Sequence, residues 1–464
     1  MERVETYNKA NKSFILNMNI FILFCELVLS YLISKEILVI FFICHLSLLM
    51  IMEKDMTNVF ILLMSFIPFY QIIAINKGNF KIYVVVLFVF LIRSLVNLIF
   101  KSKEKNENLK FQQCLCFVLA FMLYYLVSML LTCGLDLGYL FGFIYIFSMF
   151  LGLMQIKQID SIKVYHYYLF MFFMSALLGS CANFIPALDT ILRKATVGGI
   201  DRFSGVSWDT NYFALQCCCN VGMLLSLIEQ RKTKKIIYIC CFLVVLILGI
   251  TTVSKMYIVG LAVMFVLWLF ASKTKIPLKI GAIILLIVGI IICYYALPET
   301  NSIRVLIQRF LNVFTESQGL NQITTGRWNI WSTYMNDWIQ SWFTIFFGKG
   351  VSYPVLIEGF GCHGFYVETI YQFGLLGSLL FLIAFLFSIF YGKEKVQNKK
   401  ITTPKQYKMV KIERRRKRIN YLALISVLVS YAALSIFNQV DSIFLMIVSC
   451  LILNVDKETI SNEI

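Results

Sequence analysis

Apolar runs of about 17 to 22 residues recur along almost the whole chain, each long enough to cross a hydrocarbon layer roughly 30 Å thick as a helix. In lipid every backbone N–H and C=O must find its partner within the segment. The runs also lack the period-two alternation of a membrane barrel, so helices are the required form. Composition agrees: 59% of the 464 residues are hydrophobic, 14% are charged and the mean hydropathy is +0.79, outside the range of soluble globular domains. The runs place spans near 13–34, 37–52, 57–75, 82–100, 111–131, 137–156, 164–182, 210–228, 236–253, 255–271, 280–297, 364–391, 419–437 and 440–454. The expected fold class is an all-α polytopic membrane protein with about 14 transmembrane helices. The segments 37–52 and 440–454 are short for a full crossing.

A net charge of +17 raises the question of nucleic acid. When the loops are alternated across the spans, however, most Lys and Arg fall on the side that holds the N-terminus, as the positive-inside rule requires. Arg3, Lys9 and Lys12, the loop Lys101–Lys110, the run Arg231–Lys235 and the run Lys393–Arg418 are therefore expected to be cytoplasmic. Both termini share that side, and the protein is expected in the cell membrane as a multi-pass component. The cluster Arg414–Arg418 reads as an ordinary membrane anchor, and nucleic acid is not expected as a partner. The 14 cysteines lie mostly within spans, three of them consecutive at Cys217, Cys218 and Cys219. No metal-ligand spacing appears, so they read as small packing residues. The first apolar run is too long for a signal peptide and lacks a small-residue cleavage site; it is expected to remain as the first helix.

The chain divides into N-terminal helices (1–182), a first outer loop (183–209), central helices (210–297), a large outer loop before the twelfth helix (298–363), and C-terminal helices (364–454) interrupted by the basic loop 392–418. Function is sought in the two long outer loops, because loops carry sites on rigid scaffolds. The first ends in GGIDRFSGVSWDTNYFAL, from Gly198 to Leu215. Here Asp209 and Asn211 stand at the start of a helix, where Asp209 can serve as N-cap. Arg202 lies among glycines, where a guanidinium can grip a phosphate through two parallel hydrogen bonds or anchor a lipid head group.

The second loop opens with NSIRVLIQRFLNVF, whose Ile303, Leu306, Ile307, Phe310 and Phe314 recur at helical spacing, the pattern of an amphipathic helix lying on a membrane. After TTGRW, Trp328, Trp331, Met335, Trp338 and Trp342 fall on one stripe, expected to float a second helix at the headgroup boundary. Arg327, preceded by Gly326, opens that helix, where first-turn amides and a guanidinium together favour an anion. The glycines at 348, 350, 359, 361 and 364 suggest a flexible approach to His363, which heads the next helix with Glu368 five positions on. His45 and His166 look incidental. Glu26 and Arg93 are the candidates for intramembrane charge, and a mutual ion pair is the structural reading.

Taken together, these blocks resemble the O-antigen polymerase and ligase superfamily, which includes the Wzy-type polymerases of capsular and exopolysaccharide synthesis. DRFSGVSWDTNYFAL looks like its Arg-x-x-Gly followed by Asp-x-Asn, at Arg202, Gly205, Asp209 and Asn211. TTVSKMYIVG looks like its Ser-Arg hairpin, at Ser254 and Lys255. TTGRWNIW and the GKG turn look like its Gly-Arg and Gly-x-Gly blocks. HGFYVETIYQFGLLG looks like its His-led helix ending in Gly-Leu-Leu-Gly. The match covers roughly residues 198–391; Lys255 stands where arginine is usual, and Gly364 where Asn or Ser often follows the histidine.

The resemblance implies a GT-C-like membrane glycosyltransferase, metal-independent and without a cofactor. It would transfer glycan from an undecaprenyl-pyrophosphate-linked donor to an acceptor sugar hydroxyl at the outer face. On that reading Arg202, Arg327 and Lys255 hold the carrier pyrophosphate. His363 takes the acceptor proton or contacts phosphate, while Asp209, Asn211 and Glu368 support the site. Partners would be the lipid-linked oligosaccharide, membrane lipid, and a flippase and chain-length regulator. A ligase of the same superfamily, a flippase-type transporter, a cell-wall glycosyltransferase and a scaffold are the rivals.

Overall fold

The chain is predominantly helical, as the apolar runs require. The structure, a computed structural model, describes residues 2–33, 36–75, 81–102, 108–185, 192, 195–197, 200–207, 209–230, 234–272, 276–299, 301–315, 324, 326–351, 361–390, 418–434 and 440–454. The basic runs 231–233 and 393–417, the side chains of Arg3, Lys9 and Lys12, and Gly359 lie outside the described residues.

The helices, in chain order, are α1 (Glu2–Leu32), α2 (Glu36–Met52), α3 (Met56–Phe66), α4 (Val84–Ser102), α5 (Asn108–Thr132), α6 (Leu137–Gln155) and α7 (Ser161–Ser180). After a short hairpin come α8 (Thr210–Gln230), α9 (Lys235–Thr251), α10 (Lys255–Ala271), α11 (Ile276–Ala296), α12 (Ser302–Thr315), α13 (Arg327–Trp338), α14 (Trp342–Phe347), α15 (Phe365–Phe390), α16 (Leu422–Tyr431) and α17 (Val440–Cys450). Each of the fourteen expected segments carries a helix. Among the described residues, six helices are long and apolar enough to cross a membrane: Ser13–Leu32, Lys110–Thr132, Leu137–Gln158, Ser161–Ser180, Thr210–Gln230 and Phe365–Phe390. Shorter apolar helices occupy other segments, including 37–52 and 440–454. Four starts share one device, an aspartate whose carboxylate accepts from a first-turn amide: Asp55, Asp136, Asp160 and Asp209. Pro68 ends α3 by turning its last residues into a 3-10 turn, Ile67–Phe69.

The chain forms two compact units. The first comprises residues 1–101, 158–193 and 205–208; the second, residues 102–157, 194–204 and 209–464. In the first, Glu26 does not pair with Arg93 as expected. His45 lies 2.9 and 3.1 Å from the two Glu26 carboxylate oxygens, and Arg93 donates to the Glu53 carbonyl. His45 stands close enough to satisfy the acid, so it is a structural partner and not an incidental residue. The Arg93 side chain, in turn, reaches the end of α2.

In the second unit, α15 departs from helical geometry at Gly374, with φ of 62° and ψ of −170°. A break in an apolar helix strands carbonyls that water cannot reach. Here Lys349 N–H donates to Tyr371 O at 2.8 Å and Gly350 N–H to Gln372 O at 3.0 Å. The Tyr124 hydroxyl lies 2.8 Å from Phe373 O and 2.7 Å from Phe347 O. The GKG turn therefore plugs the gap in α15, and its glycines are packed, not flexible. A Cβ on Gly348, whose φ is +80°, would stand 2.2 Å from Gln372 O, and one on Gly377 would meet the Tyr124 ring at 2.4 Å. Gly348→Ala is expected to cost more than about 1 kcal/mol, through positive φ and backbone overlap together. Thermal unfolding in lipid should show the lowered midpoint, while Gly281→Ala, which meets nothing within 4 Å, should leave it unchanged or higher.

Candidate functional site

Arg202, Asp209, Asn211, Lys255, Arg327, His363 and Glu368 all lie in the second unit, and separate blocks of the sequence contribute to one place. The approach begins with a hairpin that hydropathy did not suggest. Strand Ala195–Val197 pairs antiparallel with Ile200–Arg202, setting Ala195 opposite Arg202. Arg202 thus leaves the hairpin at its open end. There Phe203 N–H donates to Thr251 O at 3.1 Å, and Arg202 Nε donates to Thr252 O at 2.8 Å. The next carbonyl, Val253 O, accepts from Arg309 Nη1 at 2.6 Å.

Three consecutive carbonyls at the C-terminal end of α9 therefore receive three donors from two distant segments. Such an end carries excess negative potential, which suits cationic donors. Val253 has φ of +50°, a strained value for a β-branched residue, and such outliers cluster at functional sites. Asn211 joins the blocks laterally. Its side-chain oxygen accepts from Arg202 at 3.3 Å and from the Ser254 hydroxyl at 2.8 Å, while its backbone N–H donates to Asp209 at 2.6 Å.

The charges on this lattice feel one another. Burial pulls the Arg202 guanidinium below its ordinary value; Asp209 opposes that, and Arg309 and Arg327 add to it. Arg327 is lowered by burial against the pull of Asp209 and Tyr212. Arg309 is lowered by burial alone. Arginine does not surrender its proton in proteins, so these shifts mean that half-buried guanidinium groups are kept charged at a cost in desolvation, to which Arg309 and Arg327 add repulsion at Arg202. Asp209, carboxylate and N-cap at once, acts on Arg202 and Arg327. An incoming polyanion would relieve the repulsion, and a monoanion would do so only in part.

His363 sits at the head of α15 with φ of +50°. Burial lowers its pKa, Arg327 lowers it further and Asp209 opposes both, so the imidazole is neutral at pH 7. The glycine that follows has a packing reason: a Cβ at Gly364 would stand 2.7 Å from Trp331 Nε1. Asn or Ser would collide with that indole. Glu368 is buried within α15, accepting from Gln372 Nε2 at 3.3 Å. Lys255 opens α10 immediately after Ser254, half-buried.

Two expectations change in detail. The tryptophan stripe does not lie wholly at a surface. Trp328 and Trp342 are exposed, whereas Trp338 and Tyr334 are buried against Cys362 and Tyr371, with Trp331 packed beside them. Tyr371 donates to Asp337, which also pairs with Lys349 at 3.1 Å. Burial would raise the Asp337 carboxyl, but Tyr371 and Lys349 together hold it below the usual range. α13 is thus tied to the broken turn of α15, which fixes Arg327 relative to His363.

The other change concerns the first turn of α13. Arg327 N–H already donates to Thr324 O at 3.3 Å, and Trp328 N–H to the Thr324 hydroxyl at 2.9 Å. What this end offers a ligand is the guanidinium and not those two amides. Arg309 is the residue of this cluster that sequence reasoning missed. It lies inside NSIRVLIQRFLNVF, where helical periodicity drew attention to the apolar face.

Set against models of known protein families, the chain matches none, and it matches no curated protein. The chemistry of the site is its own evidence. Asn211→Ala should leave Arg202 and the Ser254 hydroxyl without their shared acceptor and cost about 1–3 kcal/mol. Asn211→Asp, which keeps an acceptor oxygen, should recover most of the thermal midpoint.

Proposed function

We propose that this chain is a multi-pass membrane glycosyltransferase that polymerises polyprenyl-pyrophosphate-linked oligosaccharide repeat units into capsular or exopolysaccharide. The observation that carries the reading is the placing of Arg202 and Arg309 on the neighbouring carbonyls of Thr252 and Val253, with Asp209 and Arg327 acting on Arg202, and Arg327 and Asp209 acting in turn on His363. A pyrophosphate is the polyanion that such a set would take. The resemblance of these blocks to O-antigen polymerases adds to the reading, as does the helical architecture. The full arrangement proposed is GT-C-like, with about 14 crossings, both termini cytoplasmic and residues 298–363 at the outer face of the cell membrane.

In the reaction, an acceptor sugar hydroxyl attacks the anomeric carbon of the lipid-linked glycan. The new C–O bond forms as the bond to pyrophosphate breaks, and negative charge grows on the leaving oxygen. Guanidinium groups already fixed on the carbonyls of Thr252 and Val253 stabilise that charge without reorganising. His363, neutral at physiological pH, accepts the hydroxyl proton. Asn211 orients Arg202, Asp209 balances the resting cations, Lys255 is a further cation next to Ser254, and Glu368 supports the helix that carries His363. The donor is undecaprenyl-pyrophosphate-linked, no metal or cofactor is required, and a flippase and chain-length regulator would work alongside.

Purified protein in lipid, given a polyprenyl-pyrophosphate oligosaccharide, should produce longer lipid-linked chains in the presence of a chelator. Arg202→Ala, Arg327→Ala and Arg309→Ala should each lower the rate by about 10²–10³ while the protein stays in the membrane. Full chain length and amount from Arg327→Ala would sink the pyrophosphate clamp. Movement of the substrate across the bilayer without chain growth would make the protein a transporter.

The pH dependence has a definite sign. Because the His363 pKa is lowered, its neutral form persists to lower pH than that of a free imidazole. The acid limb of kcat/KM should therefore fall below about pH 6.5 and vanish in His363→Ala. An acid limb well above that value would remove His363 from the role of base.

A further inference from the structure

The first unit contains a recess unrelated to the arginine site. It lies between α1 and α7 and encloses about 470 Å³. Its floor is Ile20, Phe24 and Met171, with Ile20 and Met171 buried and Phe24 set edge-on against Phe69 behind it. Phe21 and Phe170 stand at its mouth, 62% and 58% exposed. Polarity is confined to one end, where the Tyr167 hydroxyl donates to Asn17 and His166 lies alongside. That bond joins Asn17, near the start of the apolar stretch Ser13–Leu32 of α1, to Tyr167 in the second turn of α7, and the apolar lining follows each of them in sequence, Ile20 to Phe24 on one helix and Phe170 to Met174 on the other, so the polar end faces the N-terminal side of both.

Interiors pack densely, and an apolar void this large is not left empty where mobile hydrocarbon can enter it. Water has only the polar end to bond to. The two helices are among those apolar and long enough to cross a membrane, and in a membrane the mouth would open on lipid. Lys163 stands three and four residues before His166 and Tyr167, on the same face of α7 and nearer its start. We infer that this recess holds one acyl chain of an anionic phospholipid, its head group lying against Tyr167, Asn17 and Lys163. The chain supplies the missing packing, the hydrogen-bonded pair marks the depth of the ester groups, and the lysine selects the charge.

The test uses the full-length protein in nanodiscs of palmitoyl-oleoyl phosphatidylglycerol and phosphatidylcholine in equal parts, with retained lipid counted by native mass spectrometry. Wild type should keep one phosphatidylglycerol. Met174→Trp, which fills the recess, should lower that occupancy on the order of tenfold. Lys163→Glu should keep a lipid but reverse the preference toward phosphatidylcholine. Circular dichroism and the thermal midpoint check that these variants fold. Should Met174→Trp fail to fold, the exposed pair Phe21→Ala with Phe170→Ala removes the mouth and should weaken retention equally. Equal retention by wild type and the recess variants overturns the inference, as does indifference of Lys163→Glu to head group. Displacement of phosphatidylglycerol by an equal amount of polyprenyl phosphate also overturns it, making the recess a carrier-lipid groove.

Discussion

Three carbonyls in a row, those of Thr251, Thr252 and Val253, hold the candidate site together. They lie where α9 runs out of intrahelical partners, and an unpaired carbonyl in an apolar setting is costly. Arginine is the donor best suited to that end, because it brings a charge the helix favours and has further N–H groups to spare. The carbonyls are satisfied and the guanidinium groups are placed by the same bonds. Val253, with its positive φ, follows Thr252 at this end, and the two neighbouring carbonyls take donors from the hairpin and from α12. Asn211 and Ser254 then couple this lattice to α8 and α10, so the same bonds link four helices.

The broken turn of α15 repeats the principle with the roles exchanged. There the carbonyls of Tyr371, Gln372 and Phe373 are met by backbone amides and a tyrosine hydroxyl in place of side-chain cations. No charge is gathered, and the outcome is rigidity. The ties Asp337–Lys349 and Asp337–Tyr371 extend that rigidity to α13 and so to Arg327. One region collects positive charge and the other holds its histidine and arginine in register.

Much of this could be read from the chain before any coordinates. Hydropathy located helices in all fourteen segments because lipid leaves the backbone no other economical way to bond itself. The motifs at Arg202, Asp209, Asn211, Ser254, Arg327 and His363 were legible as chemistry near helix ends. What was not legible depended on partners remote in sequence. Glu26 chose His45 over Arg93 by packing geometry that no periodicity encodes. Strands of three residues carry too little alternation to register, although two glycines between them are a hairpin signal. Arg309 was hidden by an apolar pattern that correctly described its helix and said nothing of its polar side. The glycines of GKG suggested freedom when their small size served contact, and Trp338 suggested a surface when its neighbours, Tyr334 and Tyr371, buried it.

The brace across Gly374 also bears on the order in which the chain is made. Lys349 and Gly350 leave the ribosome before the turn they plug, so their amides already exist when α15 emerges with its unwound residues. Tyr124, made earlier still, is the third piece of the same seal. A chain synthesised from the opposite end would have to carry exposed carbonyls through lipid while waiting for their partners. Vectorial synthesis avoids that interval: the helix that most needs outside help is the last component of its own joint to be born.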